Sequence, residues 1–188
     1  MVVAIDGGQK ILDFGCVEKI LKKANLIVVQ DCGCRTERNN CSYPRDVCIS
    51  IDEDAEKSLE MRVNNPRKVS LKEAMERLQK AHEAGLVAMA YHLEGRDKIS
   101  QICNCCSCCC HTLSGLVRFG LARHVLSSDM ISKTNENLCI NCGICTKRCQ
   151  FQARRLENNK MFYDSSQCFG CGLCVSTCPV NAIKLIER

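Results

Sequence analysis

The sequence predicts an α+β protein in two parts. Residues 1–130 read as a small helix-and-strand domain with metal-binding cysteine loops, and residues 131–188 as a smaller domain built on an internal repeat. Three observations predict this. Apolar residues alternate between helical and strand spacing along the first part. Cysteine supplies 19 of 188 residues, far above ordinary use. The run Cys139-x2-Cys142-x2-Cys145-x3-Cys149 recurs 29 residues later as Cys168-x2-Cys171-x2-Cys174-x3-Cys178.

The elements follow in order. Ile11, Leu12, Phe14, Val17, Ile20, Leu21 and Ala24 recur at helical spacing, so residues 9–24 predict an amphipathic helix, with Cys16 as packing inside it. Leu26–Gln30 reads as a short buried strand. Residues 49–68 are polar and predict an exposed connection, with a short helix at Glu53–Arg62 and a turn at Asn64-Asn65-Pro66. Ser70-Leu71-Lys72-Glu73 is a capping box that starts a helix through His82, stopped at Gly85. Val87–Leu93 and Lys98–Cys103 predict a hairpin across Glu94–Asp97. His82 and His92 are assigned to packing or hydrogen bonds. Leu113 to about Leu126 reads as an apolar helix, and Ser128–Asn137 as a polar linker.

Two cysteine stretches interrupt this pattern. Cys32, Cys34, Cys41 and Cys48 fall within seventeen residues, with Gly33 allowing a tight turn and Pro44 stiffening the loop. Such a set points to a metal, an iron–sulfur cluster ahead of zinc. Cys103, Cys105, Cys106, Cys108, Cys109 and Cys110 crowd into eight residues. Neighbouring side chains diverge, so these six cannot all face one cluster. A helix starting after them would turn its N–H groups and positive dipole end toward an anionic centre. Both stretches follow apolar strands, which would bring them to one end of a small sheet around one or more shared centres.

The C-terminal repeat is more specific. Iron in a sulfide cluster takes soft anionic ligands, four thiolates per [4Fe-4S] unit. Three cysteines two residues apart wrap one cluster, and the fourth points to the other. Cys139, Cys142, Cys145 and Cys178 are therefore expected on one cluster, and Cys168, Cys171, Cys174 and Cys149 on the second. Residues 134–188 resemble the bacterial-type two-cluster ferredoxins on these eight cysteines. The resemblance implies a pseudo-twofold ferredoxin-type dicluster domain of short hairpins and two short helices, and one-electron transfer. Gln150 departs from it, standing where the family usually has Pro after the fourth cysteine. The whole chain also resembles a group of cysteine-rich iron–sulfur proteins of anaerobes, on Cys32–Arg35, Ser70–Val87 and Cys103–Cys110.

Composition narrows the function. The opening Met1–Gly8 shows no signal-peptide pattern, the cysteine count is odd, and no run approaches eighteen apolar residues. A reducing, anaerobic cytoplasm is the expected setting, with no membrane span. The formal charge of +5 falls to about +1 once two clusters of roughly −2 each are bound, so nucleic acid is not expected as a partner. Lys147-Arg148 and Arg154-Arg155 read as a solvated face. The expected function is an iron–sulfur electron-transfer protein or redox-complex subunit, with two [4Fe-4S] clusters and one or two further centres in the first part. Its expected partners are redox proteins, and its oligomeric state is open. The alternatives are a reductase whose N-terminal centre binds substrate and, from the helix followed by a hairpin, a redox-responsive DNA-binding regulator.

Overall fold

The computed structural model describes residues 8–91, 99–120 and 125–188. They form a mixed helix-and-strand fold. A seven-stranded sheet carries the first part, and two two-stranded ribbons carry the rest.

The first described element is β1 (Gln9–Leu12), where helix was expected. Ile11 and Leu12 share a helical spacing with Phe14 and Val17, but Asp13 breaks it: its side chain accepts a hydrogen bond from the Cys16 N–H and caps α1 (Phe14–Leu21). β2 (Ile27–Gln30) falls at the predicted place. α2 (Gly33–Arg38) and β3 (Cys48–Ile51) were hidden by polar or cysteine-rich sequence, and every residue of β3 is buried. The stretch read as an exposed connection therefore starts with a core strand. The predicted helix follows as α3 (Asp52–Met61), then the left-handed Asn64 and Asn65 and the short β4 (Arg67–Lys68).

α4 (Leu71–Glu83) has the full capping box between Ser70 and Glu73, and Gly85 ends it at φ 81°. β5 (Val87–Tyr91) and β6 (Gln101–Cys105) pair antiparallel as expected, and β6 runs two residues further than read. The predicted turn at Glu94–Asp97, and His92, lie outside the described residues. α5 (His111–Phe119) stops at left-handed Gly120. Val125 and Leu126 form β7, parallel to β1, where helix was expected.

The sheet order is β4-β2-β3-β6-β5-β1-β7. Alternating residues feed two cores. Leu12, Ile27, Val29, Ile49, Ile51, Ala88, Ala90 and Ile102 meet α1 and α4 on one face. Ile11, Val87 and Met89 meet Leu113 and Leu116 of α5 on the other, together with Phe151 and Leu173 from the C-terminal part. The period of two thus becomes a three-layer arrangement, with the cysteine-rich C-terminal part seated on the second face.

The C-terminal part closes on itself through β8 (Met130–Thr134), paired antiparallel with β11 (Ile183–Glu187). Residues 128–137, read as a linker, thus contain a strand. α6 (Ile144–Arg148) lies in the first repeat, and β9 (Arg154–Glu157) pairs with β10 (Lys160–Tyr163). The second repeat has turns at the place of α6, so only one of the two expected short helices forms among the described residues.

Candidate metal centres

Sheet register brings the two N-terminal cysteine stretches together. Gln30 at the end of β2 pairs with Cys48 at the start of β3, and Ile49 beside it pairs with Ile102 of β6. The chain leaving β2 into Cys32, the chain entering β3 at Cys48, and the chain leaving β6 at Cys105 share one end of the sheet. They do so in its interior rather than at an edge.

Six thiols form a closed ring there. Cys32 neighbours Cys34 and Cys48, Cys48 neighbours Cys103, Cys103 neighbours Cys105, Cys105 neighbours Cys110, and Cys110 neighbours Cys34, each thiol shifting the titration of the next. Contacts with Cys110 and Cys32 hold Cys34 well below the ordinary thiol value, and contacts with Cys105 and Cys48 hold Cys103 low. Cys32 is pushed up by Cys34, Cys48 and burial. Thiols this close cannot all ionise together unless cations lie among them. Tyr91 faces the ring from β5, its phenol raised by burial and by Cys105, Cys103 and Cys110, with Thr112 nearby opposing the shift. α5 begins on the ring itself: Cys110 is its N-cap, and the Leu113 N–H donates to Cys110 Sγ at 3.4 Å.

A second group is separate and tighter. The sulfurs of Cys41, Cys106, Cys108 and Cys109 all lie within 4.8 Å of one another. The four cysteines of residues 32–48 therefore do not make one site. Cys41 joins the later stretch, while Cys32, Cys34 and Cys48 go to the ring. Cys16 joins neither group and packs beneath the sheet with α1.

Arg35 lies between the two groups and is 1% exposed. Its Nη1 donates to Asn104 O at 2.8 Å and reaches Cys106 Sγ at 3.9 Å, and Cys32, Cys48 and Cys106 all favour its charged form. Its Nε and Nη2 find no acceptor among the described residues. A buried cation needs an anion. Anionic metal–thiolate centres on both sides would supply one, so the residues fit such groups. Asn104 completes the support, donating to Val47 O at 2.6 Å. Both polar residues escaped the sequence reading, although Arg35 is adjacent to Cys34.

The C-terminal cysteines line two cavities. One is bounded by Cys139, Cys142, Cys145 and Cys178, the other by Cys149, Cys168, Cys171 and Cys174. Arg154 borders both. It is 2% exposed, donates to Thr134 Oγ1 at 2.8 Å and Ser132 Oγ at 2.9 Å, and leaves Nε without an acceptor among the described residues. It is therefore no part of a solvated face. Gly170, at φ 73°, passes so close to Met130 O that a Cβ would overlap it, which keeps the second cavity's loop against β8. Against the cost of burial, the hydrogen bond with Ser132 and the nearby Tyr163 hydroxyl hold the Cys168 thiol below its usual range, while burial raises Cys171 and Cys174. Two thiol-lined cavities flanked by an under-satisfied buried cation suit two anionic clusters.

The second cavity adjoins the ring. Cys103, Cys105 and Cys110 share one apolar core with Cys149 and Cys171, closed by stacked Phe151 and Phe169, whose centroids are 4.7 Å apart. Arg148 donates to the carbonyls of His82 and Glu83, so it too is occupied in holding the C-terminal part to α4. Gln150 donates to the carbonyls of Gly85 and Cys105 and accepts from the Ser107 N–H at 2.7 Å.

Residues 132–185 match the family described as a 4Fe-4S dicluster domain. This part of the chain is an iron–sulfur, ferredoxin-like domain. Among curated proteins none matches the chain. No helix among the described residues is long and apolar enough to cross a membrane.

Proposed function

We propose, from the ferredoxin-like domain at residues 132–185, that the chain is an iron–sulfur electron-transfer protein with a third redox centre in its N-terminal part. Cys139, Cys142, Cys145 and Cys178 hold one [4Fe-4S] cluster, and Cys149, Cys168, Cys171 and Cys174 the second. The grouping of these residues around two cavities supports the crossed assignment. Cys32, Cys34, Cys48, Cys103, Cys105 and Cys110 hold the third centre, of iron–sulfur type. Bound clusters supply one-electron exchange, at potentials set by charge, hydrogen bonds to sulfur and exposure.

The observation that carries this reading is the common core joining Cys103, Cys105 and Cys110 to Cys149 and Cys171. Leu113, Phe151, Phe169 and Leu173 pack in that core between the ring and the second cavity, and Gln150 bonds the Cys105 carbonyl and the Ser107 N–H beside it. The exposed Cys142, at the first cavity, marks the side open to a redox partner.

A second reading is favoured by the six thiols, where four suffice for a cube, and by Tyr91 beside them as a proton donor. In it the ring centre binds and reduces a small substrate. An anaerobic reductive titration tests the first reading. The full chain should take up more than two electrons, and Cys48→Ser or Cys103→Ser should remove iron, sulfide and one redox step while leaving the two ferredoxin-type signals. Uptake of two electrons, unchanged in those variants, would show that the ring carries no redox centre. Turnover of added oxidised substrates by the reduced protein, lost with Tyr91→Phe, would favour the second reading.

A further inference from the structure

We propose that Cys41, Cys106, Cys108 and Cys109 bind one zinc ion in a closed tetrahedral site, distinct from the iron–sulfur centres. The argument is one of dimensions. A zinc–thiolate bond is about 2.3 Å, so four sulfurs at the corners of a tetrahedron around one ion stand about 3.8 Å apart. Cys41 Sγ lies 3.6 Å from Cys109 Sγ and 3.9 Å from Cys106 Sγ, and all four sulfurs fall within 4.8 Å. In an iron–sulfur cube each thiolate binds a different iron, and bridging sulfides hold the irons apart. Its four thiolates must therefore stand wider than those around one ion. No other such compact group of cysteine, histidine or carboxylate ligands occurs among the described residues, the six-thiol ring included. Tetrahedral four-thiolate sites belong to zinc or to iron–sulfur clusters; the narrow cage removes the second, and zinc outranks ferrous iron at a common thiolate site.

The local chain is built for this separation. Cys110 N–H donates to Cys106 O at 3.0 Å, closing a turn after β6 that sends Cys106, Cys108 and Cys109 to one side while Cys105 and Cys110 join the ring. Cys41 arrives from the other stretch just past Asn39, whose left-handed φ of 49° ends α2. Asn40 Nδ2 donates to Cys108 O at 3.1 Å and fixes the approach. Val47, Ala81 and Leu86 pack around the sulfurs, and Cys106 and Cys109 are 1% and 0% exposed. Four thiolates and a divalent ion carry a net charge of −2, which buried Arg35, 3.9 Å from Cys106 Sγ, partly offsets. All four positions are filled by protein, which is the pattern of a structural site. Its role is to clamp the turn after β6 to the loop before β3.

The proposal does not depend on the identity of the ring centre. Zinc, iron and acid-labile sulfide are measured on the full chain purified anaerobically, for the native sequence, Cys41→Ser and Cys108→Ser. The native chain should hold one zinc; either variant should lose it, with sulfide content and the paramagnetic signals of the clusters unchanged. In case the variants fail to fold, zinc-edge X-ray absorption of the native chain should show four sulfur neighbours at about 2.3 Å and no metal neighbour. A native chain without zinc, a variant that loses iron and sulfide together, iron without sulfide in place of zinc, or nitrogen or oxygen in the zinc shell would each overturn the proposal.

Discussion

Gln150 accepts a hydrogen bond from the Ser107 backbone N–H at 2.7 Å, and so ties the residue after Cys149, a proposed cluster ligand, to the middle of the Cys103–Cys110 run. A proline, usual in the resembled ferredoxins at this position, has no side-chain group for that bond. Gln150→Ala leaves a half-buried N–H without its acceptor and releases the Gly85 and Cys105 carbonyls. The expected cost is about 1–3 kcal/mol. Hydrogen exchange should show the Ser107 amide exposed in Gln150→Ala and still protected in Gln150→Glu, which keeps an acceptor. Equal protection in both variants would break the assigned contact.

The crossed ligand sets predict a specific pairing of defects. Cys178→Ala and Cys139→Ala should abolish the same cluster signal in paramagnetic resonance, and Cys171→Ala the other. Cys178 is 39 positions from Cys139 and 7 from Cys171 in sequence, yet it borders the cavity of Cys139. If Cys178→Ala and Cys171→Ala lose one signal in common, each repeat closes its own cluster and the crossing is wrong.

Arg154 should act on both C-terminal clusters, because its buried guanidinium borders both cavities. A fixed positive charge favours the more negative, reduced form. Arg154→Gln should therefore lower both reduction potentials by tens of millivolts, about 59 mV for each ~1.4 kcal/mol in a one-electron couple. A shift in only one potential, or upward, would contradict its placement between them.

Local chemistry made much of this legible. The Ser70–Glu73 capping box, the stop at Gly85 and the β5–β6 pairing stand where the sequence put them, because each is fixed by nearby residues. β3 did not show itself: Cys48-Ile49-Ser50-Ile51 is four residues long, and its burial comes from neighbours twenty and fifty positions away. The division of ten cysteines into a ring and a tetrad was equally out of reach. Spacing gives the order of ligands along a chain, whereas the division depends on which side of the turn after β6 each sulfur takes. Arg154 and Arg148 read as surface charge because a basic pair in sequence carries no sign of the cavity or carbonyls it will meet.

His82 makes the docking of the C-terminal part pH-dependent. Its Nε2 lies 2.7 Å from Ser176 Oγ, and its ring meets Phe14 edge-on at 5.3 Å. Burial, and then the positive charge of Arg148, hold its pKa below the ordinary histidine value, with Glu83 opposing weakly. Above about pH 6.5 the imidazole is neutral in both the folded and the opened state, and titration adds nothing. Below that, the opened state takes up a proton that the folded state resists, so stability falls as pH drops from about 6.5 toward the depressed folded value. His82→Gln keeps a side chain able to bond Ser176 and removes the titration. Between pH 7 and pH 5.5 the native chain should lose more thermal stability than His82→Gln in the same buffers, and the amides near Ser176 should lose protection from hydrogen exchange over the same range. Parallel loss in both proteins would place the acid sensitivity in the clusters themselves rather than at this contact.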